Sequence, residues 1–533
     1  LKSGFKKYGK IHLLLGFLVL VLYAFQASLY FPSIESPDTL ENAYLVEKAL
    51  YDPVQSTAFY LYSPAHLLQN PLYYGVGKIL AIAGFHGSLL VPLKCISVLF
   101  NFLALLVACV LMSRLLGKTI PAFIGTVLFG ASYGFLFWGG QIKAYPITLF
   151  FCLLALWAAS YPGSRWATAG AAASSAAAAG FSLSALPLFA VIPLFMLSEG
   201  GFTSRAWKRA GRYLALSAAL ALLLFLWMSS LLLDLPLFSP GNVNSIAGTT
   251  LSTLSLETPG IFTPGSMSGD FSPSSRLSSL FSNLLSSVVR TGDETSGEKL
   301  KWAKILLALN AVLLVIPLAC GILRPGKNMR PVLLLSAVWL LIFGASFFLG
   351  DPENGFVYVM LFGASLLAAT SSAESGTGKT ALVTLILLLA LINTCHFSSL
   401  HRPDERADDW RKIGDTARTY DVFVAGIIPH FYGRNPYLNY CLRTTFITMS
   451  PDDLKALKTG LFAPRLGAEI YFWLRSGRRV FLSRSCVELA IEDEETRASF
   501  WRALRSGFKV SDSFTTPAHD LAESESFVRI EKK

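Results

Sequence analysis

Asp38 and Glu41 stand three residues apart behind Pro37 in S-P-D-T-L-E-N-A-Y, with Glu35 just before the proline. A proline followed by Asp38, Thr39 and Glu41 marks a helix start, and the offset of three sets both acids on one helical face. Carboxylates grouped in this way can take the proton of an attacking hydroxyl or hold an acceptor. An acidic first turn that complements the helix dipole is the competing structural reading. His66 follows in S-P-A-H-L-L-Q-N-P-L-Y-Y, a stretch that also carries Tyr73. As a ligand it would meet a phosphate or a hydroxyl; the alternative is a packed or solvent-facing imidazole. Further on, F-W-G-G-Q-I-K-A-Y-P places Lys143 between Gln141 and Tyr145 and close to Trp138. That lysine is a candidate cation for a lipid phosphate, against the ordinary reading of a snorkelling lysine among interfacial aromatics.

The elements that must hold these residues are set by the solvent. Of 533 residues, 53% are hydrophobic and 15% charged, a balance that a soluble chain of this length would pay for in exposed apolar surface. A polytopic α-helical membrane protein is expected. The net charge of +11 does not indicate nucleic acid, because Lys and Arg fall in short segments between apolar runs and in the C-terminal region, where they orient helices. Seven cysteines are scattered without a C-x-x-C pair or a His/Cys cluster, so neither a disulfide scaffold nor a structural zinc site is expected.

Lys2, Lys6, Lys7 and Lys10 precede an apolar run from Ile11 to Phe31, about twenty residues and long enough to span. No small-residue cleavage site follows it, so it reads as a retained span with a cytoplasmic N-terminus. A first extracytoplasmic loop then covers 32–88. Further spans are expected at Leu89 to Ser113, Ile120 to Trp138, Pro146 to Ser160, an Ala-rich pair from Trp166 to Leu197, and Tyr213 to Leu233. The basic group Arg205, Lys208, Arg209 and Arg212 reads as a cytoplasmic loop. A long outer loop, 234–299, contains helical apolar spacing from Ser275 to Arg290 that reads as an interfacial helix. Spans at Trp302 to Leu323, Val332 to Leu349, Phe356 to Ala369 and Leu382 to Phe397 bring the total to about eleven. No charge buried at mid-membrane is read in these spans.

From Ser398 the hydropathy falls, and residues 398–533 read as an extracytoplasmic α/β domain of roughly 130 residues. Its expected elements are a helix over Asp404 to Arg418, a strand at Asp421 to Ala425, a helix start at Ser450 and Pro451, and a helix from Leu466 to Ser476 stopped by Gly477. A strand at Arg479 to Ser483, a helix from Glu492 to Gly507 and strands at Phe508 to Ser511 and Phe527 to Ile530 complete it. G-T-G-K-T at Gly376 lacks the first glycine of a phosphate-binding loop, since Ala373 stands there, and reads as a turn between spans. Cys441 and Cys486 read as buried thiols more readily than as a disulfide.

Three stretches together resemble the GT-C superfamily of membrane glycosyltransferases that use polyprenyl-phosphate-linked sugars. They are D-T-L-E-N-A-Y from Asp38, H-L-L-Q-N-P-L-Y-Y-G-V-G-K-I-L from His66, and L-F-G-A-S-Y-G-F-L-F-W-G-G-Q-I-K-A-Y-P from Leu128. The likeness is strongest to the branch containing transmembrane O-mannosyltransferase-like proteins and their bacterial relatives. It implies a 1–397 GT-C transmembrane domain and inverting transfer from a lipid carrier to a protein or glycan acceptor. Asp38 would be the general base, with Glu41 and Glu35 orienting it, holding the acceptor or binding a divalent cation. The donor would be bound by His66, Tyr73, Gln141, Lys143 and Tyr145. Members commonly carry an acid shortly before the tyrosine matching Tyr145, where this chain has Lys143. A non-catalytic GT-C-fold subunit of a membrane complex and a lipid or sugar transporter remain as alternative readings.

Overall fold

The computed structural model describes residues 37–51, 61, 66–85, 89–162, 164–234, 236–239, 330–349, 357–374, 380, 382–390, 392–393, 422–425, 445–448, 464–484, 487–488, 491, 493–515 and 526–532. The chain divides into two compact units: Leu1–Pro32 with Pro53–His401, and Ser33–Asp52 with Arg402–Lys533. The expected spans at 11–31 and 302–323, the interfacial helix at 275–290, the turn at 376–379 and the helices at 404–418 and from 450 lie outside the described residues, as do Cys441 and Cys486.

The second unit opens the described chain with helix α1 (Pro37–Tyr51). The first unit then runs through α2 (Gln69–Ile82), α3 (Leu90–Leu116), α4 (Thr119–Ala131), α5 (Tyr133–Gly139), α6 (Tyr145–Ala159), α7 (Arg165–Phe181), α8 (Leu188–Glu199), α9 (Ser204–Leu233), α10 (Arg330–Leu349) and α11 (Val357–Glu374). Among the described residues, two helices, Leu90–Leu116 and Ser204–Leu232, are long and apolar enough to cross a membrane. The pair α4 and α5 makes a third if its 61° bend counts as one broken span. The break falls at Ser132, whose backbone is extended and whose hydroxyl donates to the Phe129 carbonyl at 2.7 Å. The core is aromatic where α4, α5, α10 and α11 meet. Phe129 lies 4.7 Å from Phe135 and 6.1 Å from Phe362, and Trp339 lies 5.4 Å from Phe362, between ring centroids. These edge and tilted geometries are the favoured ones for aromatic pairs.

The basic group Arg205 to Arg212 does not form a loop. Thr203 caps α9 by accepting from the Ala206 amide at 3.3 Å, so the helix starts at Ser204 and carries these residues in its first turns. Hydropathy alone placed the start too late, because the charged turns mask a helix that a threonine cap begins. Arg209 donates to the Ala159 carbonyl and, at 3.2 Å, to the Tyr161 carbonyl, and pairs with Glu199 at 3.5 Å. Arg114 donates to the Ser160 carbonyl at 3.0 Å and lies 3.7 Å from the centre of the Tyr161 ring. Two guanidinium groups therefore satisfy the last carbonyls of α6, at the end of the helix dipole that favours positive charge.

The second unit holds a mixed five-stranded sheet. Its strands are β1 (Val422–Ala425), β2 (Thr445–Thr448), β3 (Val480–Ser483), β4 (Phe508–Thr515) and β5 (Ser526–Lys532), in the order β2-β1-β3-β5-β4. β1 runs parallel to β2 and to β3, whereas β5 is antiparallel to β3 and to β4. Every residue of β3 is buried, as a central strand covered on both faces requires. Helix α12 (Pro464–Arg475) ends where Gly477 takes a φ of 76°, a left-handed position that suits glycine. Helix α13 (Glu494–Gly507) is capped by Asp493, which accepts from the Thr496 amide at 2.7 Å, and it buries Phe500 and Leu504.

Candidate functional site

Two helices of the first unit turn polar residues inward. In α2 the buried positions are Gln69, Asn70, Tyr73 and Gly77, while Lys78, Ile79 and Ile82 are exposed. In α3, Lys94, Ser97 and Asn101 are all buried. Steps of three and four residues put them on one stripe.

The two polar stripes meet. The Tyr73 hydroxyl lies 3.1 Å from Ser97 Oγ and donates to the Lys143 carbonyl at 3.3 Å, so the Ser97 hydroxyl supplies the proton of the shorter bond. Asn101 Nδ2 donates to the Phe135 carbonyl at 2.9 Å and ties α5 to the same stripe.

Between α5 and α6 the chain makes a tight passage in which Gln141, Ile142, Lys143 and Ala144 are all buried. The Gln141 amide donates to the Trp138 carbonyl at 3.2 Å, and the Lys143 amide to the Gln141 carbonyl at 2.9 Å. Pro146 in the first turn of α6 pre-sets the following helix. Lys143 does not snorkel to a surface. It is 8% exposed, and its Nζ lies 4.9 Å from the centre of the Trp138 ring and 5.2 Å from that of Tyr145. The two rings stand edge to face at 5.4 Å. Aromatic faces hold a desolvated cation by about 2 kcal/mol.

Tyr73, Gln141, Lys143 and Tyr145 therefore fall on one seam, joined by Trp138. His66 is placed at the approach to α2, where its Nδ1 lies 3.1 Å from the Phe181 carbonyl and the Leu68 amide donates to the Gly180 carbonyl at 3.0 Å. A Cβ on Gly180 would stand 2.8 Å from Leu68 Cδ1 and from Leu224 Cδ2, so glycine lets this approach pack against α7. Asp38 and Glu41 fall in the first two turns of α1, in the other unit; their side chains, and Glu35 altogether, lie outside the described residues. Glu47 of α1 is buried and was not singled out from the sequence.

Lys94, Ser97, Asn101, Gln69 and Asn70 are the seam residues that sequence reading passed over. Lys94, 2% exposed in the first turns of α3, was not singled out from the sequence. One lysine hardly moves the hydropathy of a 27-residue apolar helix, whereas its spacing to Ser97 and Asn101 was the usable signal. Gln69 Nε2 and Asn70 Oδ1 are buried without a hydrogen-bond partner, at a cost of about 1–3 kcal/mol for each such group. Among the described residues no three His, Cys, Asp or Glu side chains gather as a metal-binding group.

A bundle of apolar helices with a polar inner seam, in a chain that also carries a mixed α/β sheet, defines a polytopic membrane protein with a buried site. No protein-family model matches the chain, and no curated protein matches it. Solved structures do. The chain is similar to ArnT from Cupriavidus metallidurans bound to undecaprenyl phosphate, with a TM-score of 0.59, 13% identity and 98% of each chain covered. It is similar to an Archaeoglobus fulgidus oligosaccharyltransferase in complex with zinc and sulfate, with a TM-score of 0.51, 12% identity, and 87% of this chain and 68% of that one covered. It is also similar to the archaeal oligosaccharyltransferase AglB from Archaeoglobus fulgidus with an inhibitory peptide and a dolichol-phosphate, with a TM-score of 0.51, 13% identity, and 95% and 73% covered. The chain shares its fold with these solved structures.

Proposed function

We propose that this chain is an inverting GT-C-type glycosyltransferase that moves a sugar from a polyprenyl-phosphate carrier to a protein or glycan acceptor on the outer face of a bacterial inner membrane. The buried polar seam of Tyr73, Ser97, Lys94 and the aromatic-flanked Lys143 carries the reading. Polar and cationic groups inside a lipid-embedded bundle are costly and mark the path of a substrate, and the similar solved structures hold polyprenyl and dolichol phosphates.

In the proposed reaction an acceptor oxygen or nitrogen attacks the anomeric carbon and forms the new glycosidic bond. The bond from that carbon to the phosphate oxygen breaks, and the carrier phosphate leaves with the electron pair. Asp38 takes the acceptor's proton, while Glu41 and Glu35 orient it or hold the acceptor. Lys143 stabilises the charge gathering on the leaving phosphate, the interaction that lowers the barrier most in such transfers. Gln141, Tyr145 and Tyr73 hold the lysine in place, and His66 fixes the approach to α2. The N-terminus and the Arg205 to Arg212 turns face the cytoplasm, and residues 398–533 form an outward-facing domain that holds the acceptor.

The test is turnover by purified protein in nanodiscs supplied with radiolabelled undecaprenyl-phosphate hexoses and pentoses. Release or transfer of sugar is expected, with a loss of about 10²-fold or more in Lys143→Ala. Absence of both binding and turnover with every hexosyl and pentosyl carrier would sink the reading. A non-catalytic GT-C-fold subunit is favoured by one observation, a lysine where the resembling family carries an acid. It forecasts carrier binding without turnover in the same assay.

A further inference from the structure

We infer that Gln69 and Asn70 form a neutral subsite for the hydroxyl groups of the carried sugar, distinct in chemistry from the lysines that suit its phosphate; this rests on the lipid-carrier reading above. Gln69 is 2% and Asn70 3% exposed, and they are consecutive at the start of α2. Gln69 Nε2, a donor, and Asn70 Oδ1, an acceptor, are both buried and unpartnered. No side chain caps this end of α2, and Pro71 has no amide hydrogen. The approach to this end is fastened to the end of α7 through the Leu68 amide and His66.

A ligand that satisfies both atoms must accept one hydrogen bond and donate another from neighbouring positions. A phosphate in its charged form presents acceptors alone and leaves Asn70 Oδ1 unsatisfied. A hydrocarbon chain satisfies neither. Hydroxyl groups on adjacent ring carbons do both, because each hydroxyl accepts and donates. Asn70 and Tyr73 lie one turn apart on the buried face of α2, so the subsite continues directly into the seam. Sites that hydrogen-bond a hydroxyl reject ligands lacking it more strongly than apolar pockets reject an added one, which makes this pair the specificity element of the donor site.

The experiment compares bare undecaprenyl phosphate with undecaprenyl-phosphate glucose, galactose and mannose, binding to the full chain in nanodiscs, for the parent and for Gln69→Met and Asn70→Leu read separately. The parent is expected to prefer at least one hexosyl carrier over the bare carrier. Each variant should lose about ten-fold or more of that preference while holding the bare carrier as the parent does. Each variant should also melt, without ligand, at or above the parent temperature, since an apolar group of similar shape replaces a buried unpaired polar atom. A residue that merely packs the helix would melt lower. Parent protein that holds the bare carrier as tightly as every hexosyl carrier overturns the subsite and leaves the carrier reading standing. Variants that keep the preference, or lose both ligands together, overturn it likewise. Parent protein that binds none of the four overturns both.

Discussion

Removing one oxygen from the seam is the sharpest structural perturbation. Tyr73→Phe deletes the 3.1 Å bond to Ser97 and the 3.3 Å bond to the Lys143 carbonyl. Each intramolecular bond is worth about 0.5–1.5 kcal/mol net, and interhelical bonds within bilayers average about 0.6 and reach about 1.7 kcal/mol. The loss is partly offset because phenylalanine has no hydroxyl to desolvate. A destabilisation of about 1–2 kcal/mol follows. A double-mutant cycle with Ser97→Ala isolates the α2 to α3 bond, for which a coupling of about 0.6–1.5 kcal/mol is expected; the remainder of the Tyr73→Phe effect, carried by the Lys143 carbonyl, should persist in the Ser97→Ala background. Reversible SDS-induced unfolding in mixed micelles reads all four corners. Additive single effects within about 0.3 kcal/mol, or a Tyr73→Phe protein as stable as the parent, would refute the seam geometry.

Other perturbations follow from the same structure. Arg209→Ala should lower stability by about 1–3 kcal/mol in the same unfolding assay, since it frees the Ala159 and Tyr161 carbonyls and strips Glu199 of its partner; Arg209→Lys should restore only part, because one ammonium cannot reproduce the guanidinium fork. A Cβ on Gly125 would stand 2.6 Å from Ala369 Cβ and 3.2 Å from the Ser365 carbonyl, so Gly125→Ala should separate α4 from α11 at a cost of about 1–3 kcal/mol, and Gly125→Leu should abolish recovery of folded protein in detergent. Asp493 is held below its ordinary 3.8 chiefly by its side-chain bond to Thr496, and Glu531 below 4.5 chiefly by Lys509. Their stabilising contributions are present above those ordinary values and are lost as pH falls through the lower folded ones. Hydrogen exchange of α13 amides in the full chain should speed up in that acid range, and Asp493→Asn should flatten the dependence.

What the sequence made legible tracks how strongly a local pattern dictates structure. Gly477 as a helix stop, the β-branched strand at Val480 and the acidic start of α13 were readable because caps and left-handed glycine positions are local. The apolar helices were readable from composition. The start of α9 was not, because charge in its first turns outweighed the Thr203 cap in a hydropathy reading. β2 was missed because T-F-I-T is short and its place depends on a parallel partner far away in sequence. At the site, Gln141, Lys143 and Tyr145 stood out as polar residues beside interfacial aromatics, and the fold packs Tyr73 onto them. Lys94, Ser97 and Asn101 hid inside an apolar run. Gln69 and Asn70 stand in the stretch that begins at His66, yet nothing in their identity reveals that both are buried with unpaired amide atoms; only three-dimensional packing does.

Single-turnover transfer by parent and Asp38→Asn proteins in nanodiscs, with undecaprenyl-phosphate hexoses and peptide or glycan acceptors, tests the proposed catalysis most directly. The amide keeps the shape of the carboxylate and lacks its basicity, so the variant should insert, melt and bind the hexosyl carrier as the parent does. Its transfer rate should fall by about 10²- to 10⁴-fold, the share general-base catalysis supplies, while Glu41→Gln should be milder. An Asp38→Asn protein that transfers at the parent rate would contradict the account.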